Sequence, residues 1–132
     1  MIKKINLRTG KREEILDLTD IVKEIVKESK IVAGTVVVYV QHTTAAVAIN
    51  ENADPTVKSD FNNFMNKLIP YDMPFSHMEG NSDAHIKSIL VGSSITIPIS
   101  EGKMLLGIWQ GIYFCEFDGP RSRKFYVKIM EG

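Results

Sequence analysis

The stretch Thr35-Val36-Val37-Val38-Tyr39-Val40 decides how this chain is read. Every residue in it except Tyr39 is β-branched. Such side chains are stiff at χ1 and fit a pleated surface better than a helix. The apolar run is nearly continuous, which predicts a central strand covered on both faces. Toward the N-terminus, Gly34 ends the turn before it. Leu18, Ile21, Val22, Ile25 and Val26 recur at helical spacing, so a helix over about 20–29 is expected, with Thr19 as its N-cap. Residues 2–8 alternate imperfectly as a half-buried first strand. Thr9-Gly10-Lys11 is a turn, and Glu14-Ile15-Leu16-Asp17-Leu18 reads as a second strand paired with the first in a hairpin.

Toward the C-terminus the central strand delivers Gln41-His42-Thr43-Thr44. A second apolar run, Ala45-Ala46-Val47-Ala48-Ile49, leads to Asn50-Glu51-Asn52. Asp54-Pro55 is a strong helix start, an N-cap followed by proline at the first helical position. Val57, Phe61, Phe64, Met65, Leu68 and Ile69 follow at helical spacing, and Pro70 stops the helix. Residues 70–81 form an irregular loop. Ser82 is the expected N-cap of a helix over about 83–91, which Gly92 closes. The remainder reads as strands. Ile95, Ile97 and Ile99 alternate with Thr96 and Pro98, and the proline favours a sheet edge or strand end. Residues 104–109 and 112–117 follow, then the Asp118-Gly119 turn, then Phe125, Val127 and Ile129 in alternation. The expected fold is α+β: one sheet-dominated domain over residues 1–132, with about seven or eight mostly antiparallel strands and about three helices.

The chain has 132 residues, 44% hydrophobic and 24% charged, as expected of an ordinary globular protein. Sixteen basic residues balance sixteen acidic ones. That balance argues against nucleic-acid or membrane-surface binding by bulk charge. The single Cys115 excludes an intrachain disulfide and fits a reducing compartment. With no apolar run of spanning length and no signal-peptide pattern, a cytoplasmic protein is expected.

The chemistry concentrates in His77-Met78-Glu79-Gly80-Asn81-Ser82-Asp83-Ala84-His85. His42, His77 and His85 are all the histidine in the chain. Three imidazoles with one open position make a catalytic-type zinc site, although the linear spacing matches no short metal motif and unrelated surface histidines would look the same. His85 falls in a first helical turn, where the dipole disfavours imidazolium and leaves the form that binds metal or accepts a proton. Glu51, past a strand end, has no obvious capping duty and ranks first as acid–base candidate. Asn81 and Asp83 are candidates for orienting ligands or substrate, though a helix dipole alone explains Asp83. Ser93, Ser94 and Arg121 are candidate phosphate contacts, and Trp109 and Gln110 candidate pocket walls. Helix termination, an exposed hairpin end and core packing are the competing explanations. Cys115, inside an apolar strand, reads as a core residue.

His42-Thr43-Thr44-Ala45, Asn50-Glu51-Asn52-Ala53-Asp54-Pro55, Glu79-Gly80-Asn81-Ser82-Asp83-Ala84-His85-Ile86-Lys87, Gly92-Ser93-Ser94, Leu106-Gly107-Ile108-Trp109-Gln110-Gly111 and Asp118-Gly119-Pro120-Arg121 together resemble the YjbQ family, also called UPF0047. The resemblance spans essentially the whole chain. One departure is Ile108, where many members carry Thr before the Trp-Gln pair. The resemblance implies a compact α+β homotrimer. It implies a metal site, zinc by preference, at His42, His77 and His85; magnesium is the alternative that the implied chemistry raises. It implies functional roles for Glu51, Asn81 and Asp83, and a secondary thiamine-phosphate synthase activity. The resulting expectation is a metal-dependent enzyme acting on a small phosphorylated or anionic metabolite, with no nucleic-acid or membrane partner. The alternative is a non-catalytic trimer that binds a metal or metabolite. Thiamine-phosphate synthesis usually needs Mg²⁺, which prefers oxygen ligands. Histidines suit it poorly, so a hydrolytic reaction is at least as natural for such a site.

Overall fold

In the computed structural model, which describes residues 1–132, Val36 and Val38 are completely buried while Tyr39 is 43% exposed. The β-branched run is therefore a strand with one covered face, β3 (Gly34–Tyr39), and not one covered on both. It lies in the middle of a five-stranded antiparallel sheet ordered β1-β8-β3-β5-β6, where β1 is Ile2–Arg8, β5 Ser94–Ser100, β6 Lys103–Met104 and β8 Ser122–Glu131. A second sheet, ordered β2-β7-β4, holds β2 (Glu14–Asp17), β4 (Ala45–Glu51) and β7 (Gln110–Glu116). The α+β expectation stands: eight strands in two antiparallel sheets, with three helices, α1 (Thr19–Ser29), α2 (Pro55–Leu68) and α3 (Ser82–Val91).

The main core forms where α1 and the small sheet pack on the inner face of the large one. Val22, Ile25 and Val26 meet Val36, Val38, Ile97, Phe125 and Val127 from one side, and Val47, Ile112 and Phe114 from the other. A smaller cluster of Ala46, Ala84, Tyr113, Cys115 and Phe117 sits beyond the small sheet, with Phe61 of α2 and Val91 of α3 packed against it. The strand covered on both faces is thus β7, whose residues Gly111 to Glu116 are all buried.

Four local expectations change. β1 and β2 do not form a hairpin. β1 pairs with β8 and β2 with β7, in different sheets. Thr19 is the first residue of α1 and not its cap. Asp17 Oδ1 accepts from both the Thr19 N–H (2.9 Å) and hydroxyl (2.6 Å). Asn81, not Ser82, occupies the N-cap of α3. Residues 105–109 are loop, so the strand expected over 104–109 shrinks to β6. Pro98 is tolerated because β5 has only a two-residue neighbour on that side. The Pro98 carbonyl accepts from the Leu105 N–H at 2.9 Å, so the missing donor faces the sheet margin. Asp54 caps α2 as expected, accepting from the Thr56 N–H at 2.9 Å.

Candidate functional site

β3 ends at Tyr39, and the segment that follows swings His42 against β8. His42 Nε2 accepts the Lys124 backbone N–H at 3.0 Å. That bond uses the ring lone pair, which exists on Nε2 only when that nitrogen is unprotonated. Burial first, and the nearby Arg123 charge second, hold the His42 pKa below the usual histidine value. His85 projects from the first turn of α3 into the same hollow. The two histidines line a cavity of about 320 Å³ with Thr43, Ala45, Ser88, Ile89, Gly92 and Ser93. Ser88 is buried, and its Oγ has no hydrogen-bond partner. A second opening of about 540 Å³ shares His42, Thr43 and Ser93 and adds Gln41 and Lys124.

The third histidine lies beside the second. The His77 and His85 ring centroids are 5.1 Å apart, edge to face at 87°. His77 Nε2 is 3.8 Å from Glu79 Oε2, and both side chains are largely exposed. The chain contains no group of three or more His, Cys, Asp or Glu side chains placed to hold one metal ion. Within one chain the donor set is therefore short of the three protein ligands a catalytic zinc needs, and His42 already uses Nε2 elsewhere.

The loop carrying His42 is braced from behind. Arg123 Nε donates to Glu116 Oε1 at 2.8 Å, and Arg123 Nη2 donates to Thr44 Oγ1 at 2.9 Å and also reaches Glu116 Oε2. Thr9 Oγ1 donates to Glu116 Oε1 at 2.7 Å. Glu116, Arg123, Thr9 and Thr44 are all buried, and each is satisfied by the others.

Asp83 is fully buried and accepts two bonds from Arg12 (3.1 and 2.9 Å) and one from Lys87 Nζ at 3.3 Å. Lys87, also fully buried, donates further to Glu13 Oε2 at 3.1 Å and Asn66 Oδ1 at 2.6 Å. The Asp83 carboxylate is thus occupied by Arg12, from the loop after β1, and by Lys87, which ties α3 to α2 through Asn66. It is not free to orient substrate. Arg12, Glu13, Asn66 and Lys87 were not singled out from sequence. The one available signal was the Asp83/Lys87 spacing, an i,i+4 ion pair. Asn81 Nδ2 donates to Asp118 Oδ2 at 2.8 Å, and its buried Oδ1 has no partner. Arg121 folds back on the same Asp118 through Nε (2.7 Å to the carbonyl) and Nη2 (3.0 Å to Oδ2).

The remaining candidates lie elsewhere. Ala45 lines the histidine cavity, and Glu51 ends the same strand six residues on. At about 3.4 Å per residue that separation is about 20 Å. Glu51 therefore does not meet the histidines within the chain. Its Oε2 accepts the Ala53 N–H at 2.9 Å, and its carbonyl accepts from the Tyr113 hydroxyl. Gln110 is paired with Glu51 across β4 and β7, and its Oε1 accepts the Gly107 N–H at 2.7 Å. Trp109, 62% exposed, adjoins this distant end through its carbonyl, which accepts the Asn52 N–H at 2.8 Å. Ser94 lies in β5 opposite Tyr39, outside the cavity that Ser93 lines. The structure thus brings together His42, His85 and Ser93, with His77 against His85. It separates Glu51, Trp109 and Gln110 from them.

A family model described as UPF0047 protein YjbQ-like matches residues 3–132. A UPF0047 protein of Methanocaldococcus jannaschii is 58% identical over 130 residues, covering 98% of this chain and 94% of that protein. The UPF0047 protein YugU of Bacillus subtilis is 46% identical, covering 98% and 99%. Among solved structures, a YjbQ/UPF0047-family protein of Clostridium acetobutylicum matches with a TM-score of 0.95 at 49% identity, covering 97% of this chain and 99% of the other.

Proposed function

We propose, for a chain that belongs to the YjbQ-like UPF0047 family, that the His42–His85 cavity binds and acts on a small phosphorylated or anionic metabolite. One observation carries this reading: the unpartnered Ser88 hydroxyl, buried in the wall of a cavity that two histidines share. A buried hydroxyl without a partner costs on the order of 1–3 kcal/mol, and a bound oxygen acceptor would remove that cost. With Nε2 held by Lys124, the neutral His42 ring carries its proton on Nδ1, a donor for a ligand oxygen. His85 is the acid–base partner, able to take a proton from an attacking water or return one to a leaving oxygen. The hydroxyls of Thr43, Ser88 and Ser93 add neutral donors. Glu51 has no part in this chemistry within the chain. A hydrolytic reaction fits these groups better than thiamine-phosphate synthesis, whose expelled pyrophosphate is normally managed by Mg²⁺ on oxygen ligands.

Binding of inorganic phosphate, followed by ³¹P NMR titration, tests the reading. His85→Ala and Ser88→Ala should each weaken it about tenfold, the equivalent of about 1.4 kcal/mol. Unchanged affinity in both would overturn it. A second reading is favoured by the 5.1 Å contact of His77 with His85: these rings supply two nitrogen donors to a zinc ion completed by a ligand outside this chain. Elemental analysis of the wild type and His85→Ala checks it, and equal metal in both would dismiss it. The homotrimer implied by the family resemblance is consistent with exposed Phe64 and Leu68 on α2 and Ile89 and Leu90 on α3. Light scattering on the purified protein measures the assembly state directly.

A further inference from the structure

The large sheet has one face packed on the core and one that no helix covers. Alternation along its strands sorts the side chains cleanly. On β1 the even-numbered residues are exposed, and on β8 the odd-numbered ones from Arg123 to Ile129 are buried. The outward positions carry Lys4, Arg8, Lys124 and Lys128, and none of the outward residues of β1, β8, β3 or β5 is Asp or Glu. None of the four cations makes an ion pair, although the whole chain is electrically neutral. Charge balance over the sequence therefore hides a local basic face.

Two rings stand in the middle of that face. Tyr39 of β3 and Tyr126 of β8 are directly paired across the ladder, and Lys4 is the next residue in the same row. Directly opposite residues in an antiparallel pair hold their Cβ atoms roughly 5 Å apart, so the rings adjoin. They wall a shallow hollow of about 430 Å³ with Gln41 and Lys128. An open sheet face with adjacent aromatic rings and flanking cations has the physical requirements for stacking exposed bases while neutralising their phosphates.

From this placement we propose that the outward face of the large sheet binds single-stranded RNA, with bases stacked on Tyr39 and Tyr126 and phosphates held by Lys4, Arg8, Lys124 and Lys128. A duplex is disfavoured because its bases are already stacked on one another and a broad sheet face does not enter a groove. A two-fold contact of this face with itself is disfavoured because it would set four cations against four cations with no carboxylate between. RNA is favoured over DNA by the polar side chains beside the rings. Asn6, Gln41, Ser94 and Thr96 are hydrogen-bond partners for ribose 2′-hydroxyls. The proposal does not depend on the chemistry assigned to the His42–His85 cavity.

The test is fluorescence anisotropy of a labelled, unstructured twelve-nucleotide RNA against the full chain. Four phosphate contacts to a single strand give a salt slope of about −3, so a change from 50 to 200 mM KCl should weaken binding about 50-fold. Tyr39→Ala and Tyr126→Ala should each cost about tenfold, and Lys124→Glu with Lys128→Glu should abolish binding at 200 mM. Circular dichroism melting checks that these substitutions on the outward face leave the fold intact. The matched DNA strand should bind more weakly, and a matched duplex more weakly still. Vesicles containing phosphatidylserine serve as the competing polyanion. No RNA binding at 50 mM KCl overturns the proposal. So does binding that ignores both tyrosines, a preference for DNA or duplex, or vesicle binding of equal strength.

Discussion

Replacing Asp83 by Asn removes the negative charge that Arg12 and Lys87 share beneath α3. Removing one member of a buried ion pair typically costs about 3–5 kcal/mol, because the remaining charge is left uncompensated. Arg12 is a third exposed and Lys87 keeps Glu13, so the lower end, about 3 kcal/mol, applies here. A chain of this length unfolds with an entropy of about 0.28 kcal/mol/K near 60 °C, so the melting temperature should fall by about 11 °C. The measurement is thermal denaturation by circular dichroism at fixed protein concentration, from pH 7 down to pH 3. Burial pushes the Asp83 pKa up, but the Arg12 hydrogen bonds and charge, with Lys87, outweigh it and leave the carboxyl below its ordinary value. The folded pKa lies below the unfolded one. The stabilisation is therefore complete above about pH 4 and is lost as pH falls through the folded value. The gap between wild type and variant should accordingly narrow in acid. A variant within about 1 kcal/mol of wild type at pH 7, or a gap that stays constant below pH 4, would refute the reasoning.

Ser88→Ala should leave the unliganded protein as stable as wild type or up to about 1 kcal/mol more stable, since it deletes an unsatisfied buried hydroxyl, while phosphate affinity falls. Denaturant melts with and without phosphate read both effects. In an NMR titration the His42 ring should protonate below the usual histidine value of about 6.5, so its contribution to stability declines as pH falls below that range. A midpoint at or above that value would contradict the burial assigned to it. Gly34→Ala should cost at least about 3 kcal/mol, because a Cβ there would lie 2.2 Å from the Met130 carbonyl oxygen, a backbone atom of the neighbouring strand. An unchanged chemical-denaturation midpoint would show that β3 and β8 move apart more readily than their ladder implies.

Local chemistry made the elements legible, and non-local pairing limited the rest. Asp54-Pro55 announced α2, and the apolar period announced α1. The run over 112–117 announced β7, yet only the assembled sheets show that β7 and not β3 is the doubly covered strand. The short span between β1 and β2 looks like a hairpin turn, but the chain crosses there from one sheet to the other. Met104 to Trp109 reads as strand by composition, but only Lys103 and Met104 find a partner. His42 and His85 stood out by type, and their meeting depends on α3 packing beside β4, a contact that no linear spacing encodes. The burial of Lys87 is not legible in its residue type, because lysine is rarely buried. The circumstances that bury it are Asp83 one turn back on α3 and two partners, Glu13 and Asn66, drawn from distant segments.

The two sheets leave four margins where backbone could template unwanted strand addition, and each is blunted differently. β6 spans two residues and β2 four, too short to recruit a foreign strand. β4 has α3 beside it, and its Val47 amide is already bonded to Gly92. Only β1 is long and free, and it carries consecutive lysines, of which Lys3 is paired with Glu28 while Lys4 is left unpaired as a charge that repels like copies approaching rung to rung. A fold with two sheets is thereby protected from fibrous self-association, and the protection is weakest where the Lys4 ammonium is most easily neutralised.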